Sequence, residues 1–262
     1  MVRKLSFPCS LALALGLTAA ITSPAGAAGK SPPLCPEQPI RVAVLGDSLA
    51  DGVWGSLYRS YIGCETVTVL RLTTVSDGLA KTPPDDWLIR LSAATGDAGP
   101  ADVVIVQMGA NDLLSIREGT SRAVWGAPGW DALYQARARQ LTERLASVAD
   151  QVFWLGLPVV GTDKLEAAYT QISTLQADAV AGAAAASAKA EFFDIHTITK
   201  FGADGFTQNA EVNGELRQVR AGDQVHFTEA GYDLVRGVVQ PGLEGVMKAR
   251  DATAAIKSLA LQ

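Results

Sequence analysis

Three short, uninterrupted apolar runs, Val42–Leu45, Val103–Val106 and Val152–Leu155, constrain this chain more than any other feature. Each is too short for a helix of ordinary length and lacks the polar alternation of a strand with one wet face. Such runs are what a strand covered on both faces of a parallel sheet looks like. They predict buried strands at about Ile40–Gly46, Asp102–Met108 and Val152–Gly156. A fourth run, Thr66–Leu72, alternates polar and apolar residues and predicts an edge strand. A fifth strand is expected at Glu191–Ile195.

Helical stretches separate the strands. One follows the first strand to about Ile62, and others cover about Asp85–Ala94, Asp131–Ala149, the alanine-dense Lys164–Lys189 and Thr228–Lys248. Strands alternating with helices imply an α/β sandwich around a mostly parallel sheet, in one domain over residues 39–262. Residues 115–129 read as a loop. Residues 197–225 lack a helical period, and Phe206–Val212 and Glu215–Val219 flank Asn213-Gly214, a strong hairpin signal. A small hairpin is therefore expected just before the last helix.

In open parallel sheets ligands bind beyond the carboxyl ends of the strands. Ser48, Gly78 and Asn111 each lie just after a strand. In Gly46-Asp47-Ser48 the glycine permits a sharp turn, and Asp47 and Ser48 are both good helix N-caps. Ser48 is thus a cap or a nucleophile beside unpaired helix N–H groups that favour negative charge. Of the two histidines, His226 sits in Asp223-x-x-His226, a spacing at which the carboxylate can take one ring N–H and present the other nitrogen to a serine. His196, close behind Asp194, reads as structural. Asn111 is a turn residue or an amide donor to an anionic oxygen, and Gly78 is a turn glycine or a bare backbone N–H approaching substrate.

Gly46-Asp47-Ser48-Leu49, Gly78, Gly109-Ala110-Asn111-Asp112 and Asp223-x-x-His226 resemble, in order and context, the four sequence blocks of the SGNH (GDSL-type) hydrolase superfamily. The likeness covers essentially the whole chain after residue 38. The stretch Trp154–Pro158, Trp-x-Gly-x-Pro, and the long loop before Asp223 are similar to an exported bacterial subgroup. The resemblance implies a flavodoxin-like three-layer α/β/α fold with a five-stranded sheet in the order 2-1-3-4-5. It also implies roles: Ser48 as nucleophile, His226 as general base and then acid, and Asp223 as orienting carboxylate. The N–H groups of Ser48 and Gly78 and the side chain of Asn111 would form the oxyanion hole. No cofactor or metal is implied.

The start of the chain reads as a secretory signal peptide over residues 1–27. Arg3 and Lys4 precede an apolar run from Leu5 to Ile21, and Ala25-Gly26-Ala27 is a small-x-small cleavage site. Residues 28–38 read as a loose linker. Cleavage leaves 20 basic against 27 acidic side chains, a net charge of −7, which argues against nucleic acid and anionic membrane surfaces as partners. No later stretch is long and apolar enough to span a membrane. Cys9 leaves with the signal, so Cys35 and Cys64 remain as an even pair in an exported chain. A bridge between them would stabilise the fold by roughly 3–4 kcal/mol through the loop it closes.

Together these readings point to a periplasmic or secreted serine esterase acting on a small-molecule or polysaccharide ester. O-acetyl groups on envelope carbohydrate are the substrate the resemblance suggests. Transfer of the acyl group to a sugar, or a non-catalytic envelope protein that keeps the fold, are the other readings. Trp87, Trp125 and Trp130 lie near the expected active end, as sugar-stacking rings or as core and lid aromatics.

Overall fold

A computed structural model describes residues 33–260. The expected signal peptide and the first part of the linker lie outside the described residues. Seven-residue strands β1 (Ile40–Gly46) and β2 (Val67–Thr73) join β3 (Val103–Gln107), β6 (Gln151–Leu155) and β7 (Ala190–Phe193) in one parallel sheet, ordered β2-β1-β3-β6-β7. Counting only these strands, the order is the expected 2-1-3-4-5. The fully apolar runs take the interior: every residue of β3 is buried, whereas the alternating β2 is the half-wet edge.

Helices α1 (Ser48–Tyr61), α2 (Pro84–Thr95), α3 (Trp130–Val148), α4 (Asp163–Ser187), α5 (Ile195–Ile198) and α6 (Glu229–Leu259) flank the sheet. Helix α1 packs on α6, while α2 packs on α3 and α3 on α4, so the sheet lies between two helical layers. No helix among the described residues is long and apolar enough to cross a membrane.

Several elements differ from the sequence expectation. Residues 115–129 contain a short hairpin, β4 (Ile116–Glu118) and β5 (Ser121–Ala123), whose three-residue strands are too brief to leave a periodic signal. The last helix runs past Lys248 to Leu259, because nothing after Lys248 breaks it. The end of the linker is tied down: the N–H groups of Glu37 and Gln38 donate to the Asp251 carboxylate, and Cys35 is bonded to Cys64 with Cα atoms 5.7 Å apart. Trp87 and Trp130 are fully buried and cannot stack on a sugar. Trp125 is half-buried, with its ring edge-on to Trp130 at 4.4 Å. The hairpin at Asn213-Gly214 is present as β8 (Asn209–Val212) and β9 (Glu215–Gln218).

Candidate active site

The site is assembled where β1 ends. Gly46 has φ +146°, and a Cβ there would lie 1.8 Å from the Gln107 carbonyl oxygen at the end of β3. Only glycine lets the two strand ends approach this closely. Asp47 follows in extended conformation as the N-cap of α1, its Oδ1 accepting the Leu49 N–H at 2.9 Å. Asp47 is the cap, so the Ser48 hydroxyl is released from capping, and it stands 2.7 Å from His226 Nε2. The Ser48 N–H, at the first helical position, has no intrahelical acceptor.

His226 lies on the loop between β9 and α6. Its Nδ1 meets Asp223 Oδ2 at 2.6 Å, while Asp223 Oδ1 accepts the N–H groups of Val225 and His226, each at 2.9 Å. The aspartate thus folds the loop with one oxygen and holds the ring with the other. Partial burial raises its pKa, but these hydrogen bonds outweigh burial and bring it down to about 2. It stays ionised through the neutral range, as an orienting carboxylate must.

The loop is held from beneath by Arg220, which has no exposed surface. Its guanidinium donates to the carbonyls of Val159 at 2.7 Å and Val225 at 2.8 Å, and at longer range to those of Gln224 and His226. The rings of Phe206 and Phe227 lie within 5.0 and 4.3 Å of the same group. Burial lowers its pKa to about 10, which leaves it charged at neutral pH. Through Val159, Arg220 ties the loop that carries His226 to the turn after β6. His196, read as structural, pairs with Glu166 behind that turn, and Glu166 Oε2 accepts the Val160 N–H at 2.8 Å.

The third block comes in through Asp47. Its Oδ2 accepts the N–H groups of Gly109 and Ala110 at 3.2 Å and lies 3.4 Å from Asn111 Nδ2. Asn111 Nδ2 is also 3.4 Å from the Asp77 carbonyl, so the amide sits between the first and second blocks. Asp47 is fully buried, and burial drives its pKa up to about 7 despite these donors. Asp112, also fully buried, accepts the N–H groups of Leu79 and Ala80 and the Tyr134 hydroxyl; burial lifts its pKa to about 6.

Gly78 is positioned less openly than the sequence suggests. Its N–H donates to Asp77 Oδ1 at 2.9 Å, and a Cβ on it would fall 2.2 Å from Asp112 Oδ1. Asp77 is itself anchored by Thr82 at 2.6 Å and Arg90 at 2.8 Å. Burial alone would raise its pKa, but the hydrogen bonds from Thr82, Arg90 and Gly78 leave it below the ordinary value. Gly78 therefore makes room for a buried carboxylate, and its N–H is engaged by the neighbouring aspartate.

Sequence reasoning quoted Asp112 without a role and overlooked Arg220. Asp112 had a visible signal, a second acid at a strand end beside Asn111. A buried arginine has none, because its partners are backbone carbonyls that any sequence supplies.

The sequence model of a family described as protein of unknown function (DUF459) matches residues 41–241. No curated protein sequence matches this one. Among solved structures, a lipase/acylhydrolase from Enterococcus faecalis superposes with a TM-score of 0.50 at 17% identity, over 79% of this chain and 96% of that one. An acetylxylan esterase from Geobacillus stearothermophilus gives a TM-score of 0.51 at 15% identity, over 79% and 95%. An alpha/beta hydrolase enzyme from the metagenome of Lake Arreo gives 0.54 at 13%, over 80% and 96%. At these identities the likeness concerns the fold, which is that of the SGNH-like hydrolases.

Proposed function

This chain belongs to the DUF459 family, within the SGNH-like hydrolases, and from that premise we propose that it is an exported serine esterase removing O-acetyl groups from cell-envelope or extracellular carbohydrate. The observation that carries the reading is the 2.7 Å separation of Ser48 Oγ and His226 Nε2, with Asp223 on the far ring nitrogen. It gives the serine a base within proton-transfer reach and gives the base a fixed tautomer.

In the proposed reaction Ser48 Oγ attacks the ester carbonyl as its proton passes to His226 Nε2. The oxyanion of the tetrahedral intermediate is met by the free Ser48 N–H and by Asn111 Nδ2. Gly78 would join them by exchanging Asp77 for the substrate oxygen. His226 returns the proton to the leaving alcohol, water enters by the same base, and the acid departs. Each oxyanion donor accounts for about 10²–10³ in rate. The acetyl group is favoured by the fold likeness to an acetylxylan esterase. The Cys35–Cys64 bond supports export, since such bonds persist in oxidising compartments.

The test is hydrolysis of p-nitrophenyl acetate by the chain and by Ser48→Ala. Activity in the first and its loss in the second is the expected result; equal background rates in both would overturn it. Release of free acetate from acetylated xylan, with and without acceptor sugars, then separates hydrolysis from transfer.

A further inference from the structure

The β4–β5 hairpin carries an arrangement that folding alone does not favour. Arg117 and Arg122 are direct partners across its two strands, and both are exposed. Side chains directly opposite one another share a face, and like charges there are destabilising. Neither arginine meets a carboxylate among the described residues, and neither does the exposed Lys81. The nearby Glu118 is already neutralised by the buried Arg137 at 2.5 Å. Three uncompensated cations are thus gathered in a chain whose net charge is −5.

Two of them, Lys81 and Arg117, line a groove of about 460 Å³ between the hairpin and the segment after Gly78, together with Ala80, Leu114, Arg137 and the Glu118 that Arg137 neutralises. Arg122 stands directly across the hairpin from Arg117. The groove adjoins the candidate active site. Leu114 is three residues from Asn111 and Ala80 two from Gly78, so even extended backbone keeps the first within about 11 Å of Asn111 and the second within about 7 Å of Gly78. Its floor is rigid. Arg137 donates to the carbonyls of Leu79 at 2.6 Å and Arg117 at 2.7 Å, fastening the second block to the hairpin.

We propose that this groove binds an anionic stretch of substrate beside the ester, so that the acyl group is removed from an acidic polysaccharide. The identity of the substrate rests on the esterase reading, but the binding of the anion does not. Paired guanidinium groups are suited to carboxylate or phosphate through bidentate, charge-assisted hydrogen bonds. An anion between Arg117 and Arg122 also relieves the repulsion that the bare hairpin carries.

The test is affinity electrophoresis of Ser48→Ala, which binds without turnover, through gels containing polygalacturonate, poly(glycerol phosphate) or neutral xylan. Retardation by one or both anionic polymers, not by xylan, is expected, and adding Arg117→Ser and Arg122→Ser should weaken it tenfold or more. Which gel retards the protein distinguishes carboxylate from phosphate. No retardation by either anionic polymer, or equal retardation after the arginines are removed, would overturn the proposal. In parallel, kcat/KM on acetylated polygalacturonate relative to p-nitrophenyl acetate should fall about tenfold in the double arginine variant. An active enzyme whose ratio does not move would refute the groove while leaving the esterase standing. Retardation without any esterase activity would do the reverse.

Discussion

Asp47 Oδ2 lies 3.4 Å from the side-chain nitrogen of Asn111, so the residue that caps the serine helix also steadies the proposed oxyanion donor. The same carboxylate takes N–H groups from Leu49, Gly109 and Ala110. Asp47→Asn keeps the shape but turns one acceptor into a donor that faces donors. We expect kcat on p-nitrophenyl acetate to fall about 10²-fold, as for loss of an oxyanion donor, with little change in KM. Asn111→Ala added to Asp47→Asn should then cost much less than it does alone, because both act through one group. Full additivity in that double-mutant cycle would mean that Asp47 does not act through Asn111.

Stability should respond to pH through the buried acids. Burial raises Asp47 to about 7 and Asp112 to about 6, from an ordinary value of 3.8. An acid whose folded pKa is raised holds its proton more tightly in the folded state. Its contribution is complete below the unfolded pKa and is lost as pH rises through the folded one. Asp223, lowered to about 2, works in the opposite sense, but only below about pH 4. Asp223 is common to both proteins, so thermal melts of wild type and Asp47→Asn should differ most in favour of wild type at about pH 4 and below, and the gap should shrink as pH rises to about 7. A gap that widened with pH would contradict the assignment.

How much of this was legible depended on where each residue's partners come from. The sheet was readable because burial on both faces writes itself into sequence as unbroken apolar runs. Ser48, Asn111 and the Asp223–His226 pair were readable because strand ends and short spacings put them together. Arg220, Arg137 and the seat of Gly78 on Asp112 were not, since their contacts join segments far apart in sequence, largely through backbone atoms. Trp87 and Trp130 show the same limit from the other side: their positions left sugar-stacking rings and core aromatics both open, and packing placed both in the core.

Gly78→Ala tests the seat directly. The added methyl would lie 2.2 Å from Asp112 Oδ1 and 2.8 Å from Oδ2, and Asp112 is held by Leu79, Ala80 and Tyr134. Something must shift, at a cost of about 1–3 kcal/mol by analogy with overpacking. Urea denaturation should show that loss, and kcat should fall with it as the second block is displaced. Full stability would mean that the Asp112 carboxylate can retreat.

Arg220 provides the sharpest separation of support from chemistry. It touches neither Ser48 nor the expected position of substrate, yet it binds backbone carbonyls on both sides of the loop that carries His226. Arg220→Met fills the space between Phe206 and Phe227 but leaves those buried carbonyls without donors, at about 1–3 kcal/mol for each one left unsatisfied. Arg220→Lys keeps a charge but cannot span all of them with one ammonium. Both variants should melt earlier, and both should lose kcat on p-nitrophenyl acetate about tenfold or more while KM stays within about twofold, because the base is mispositioned and the binding surface is not. Retention of kcat in a destabilised Arg220→Met would instead mean that Asp223 alone, through its bonds to Val225 and His226, fixes the histidine.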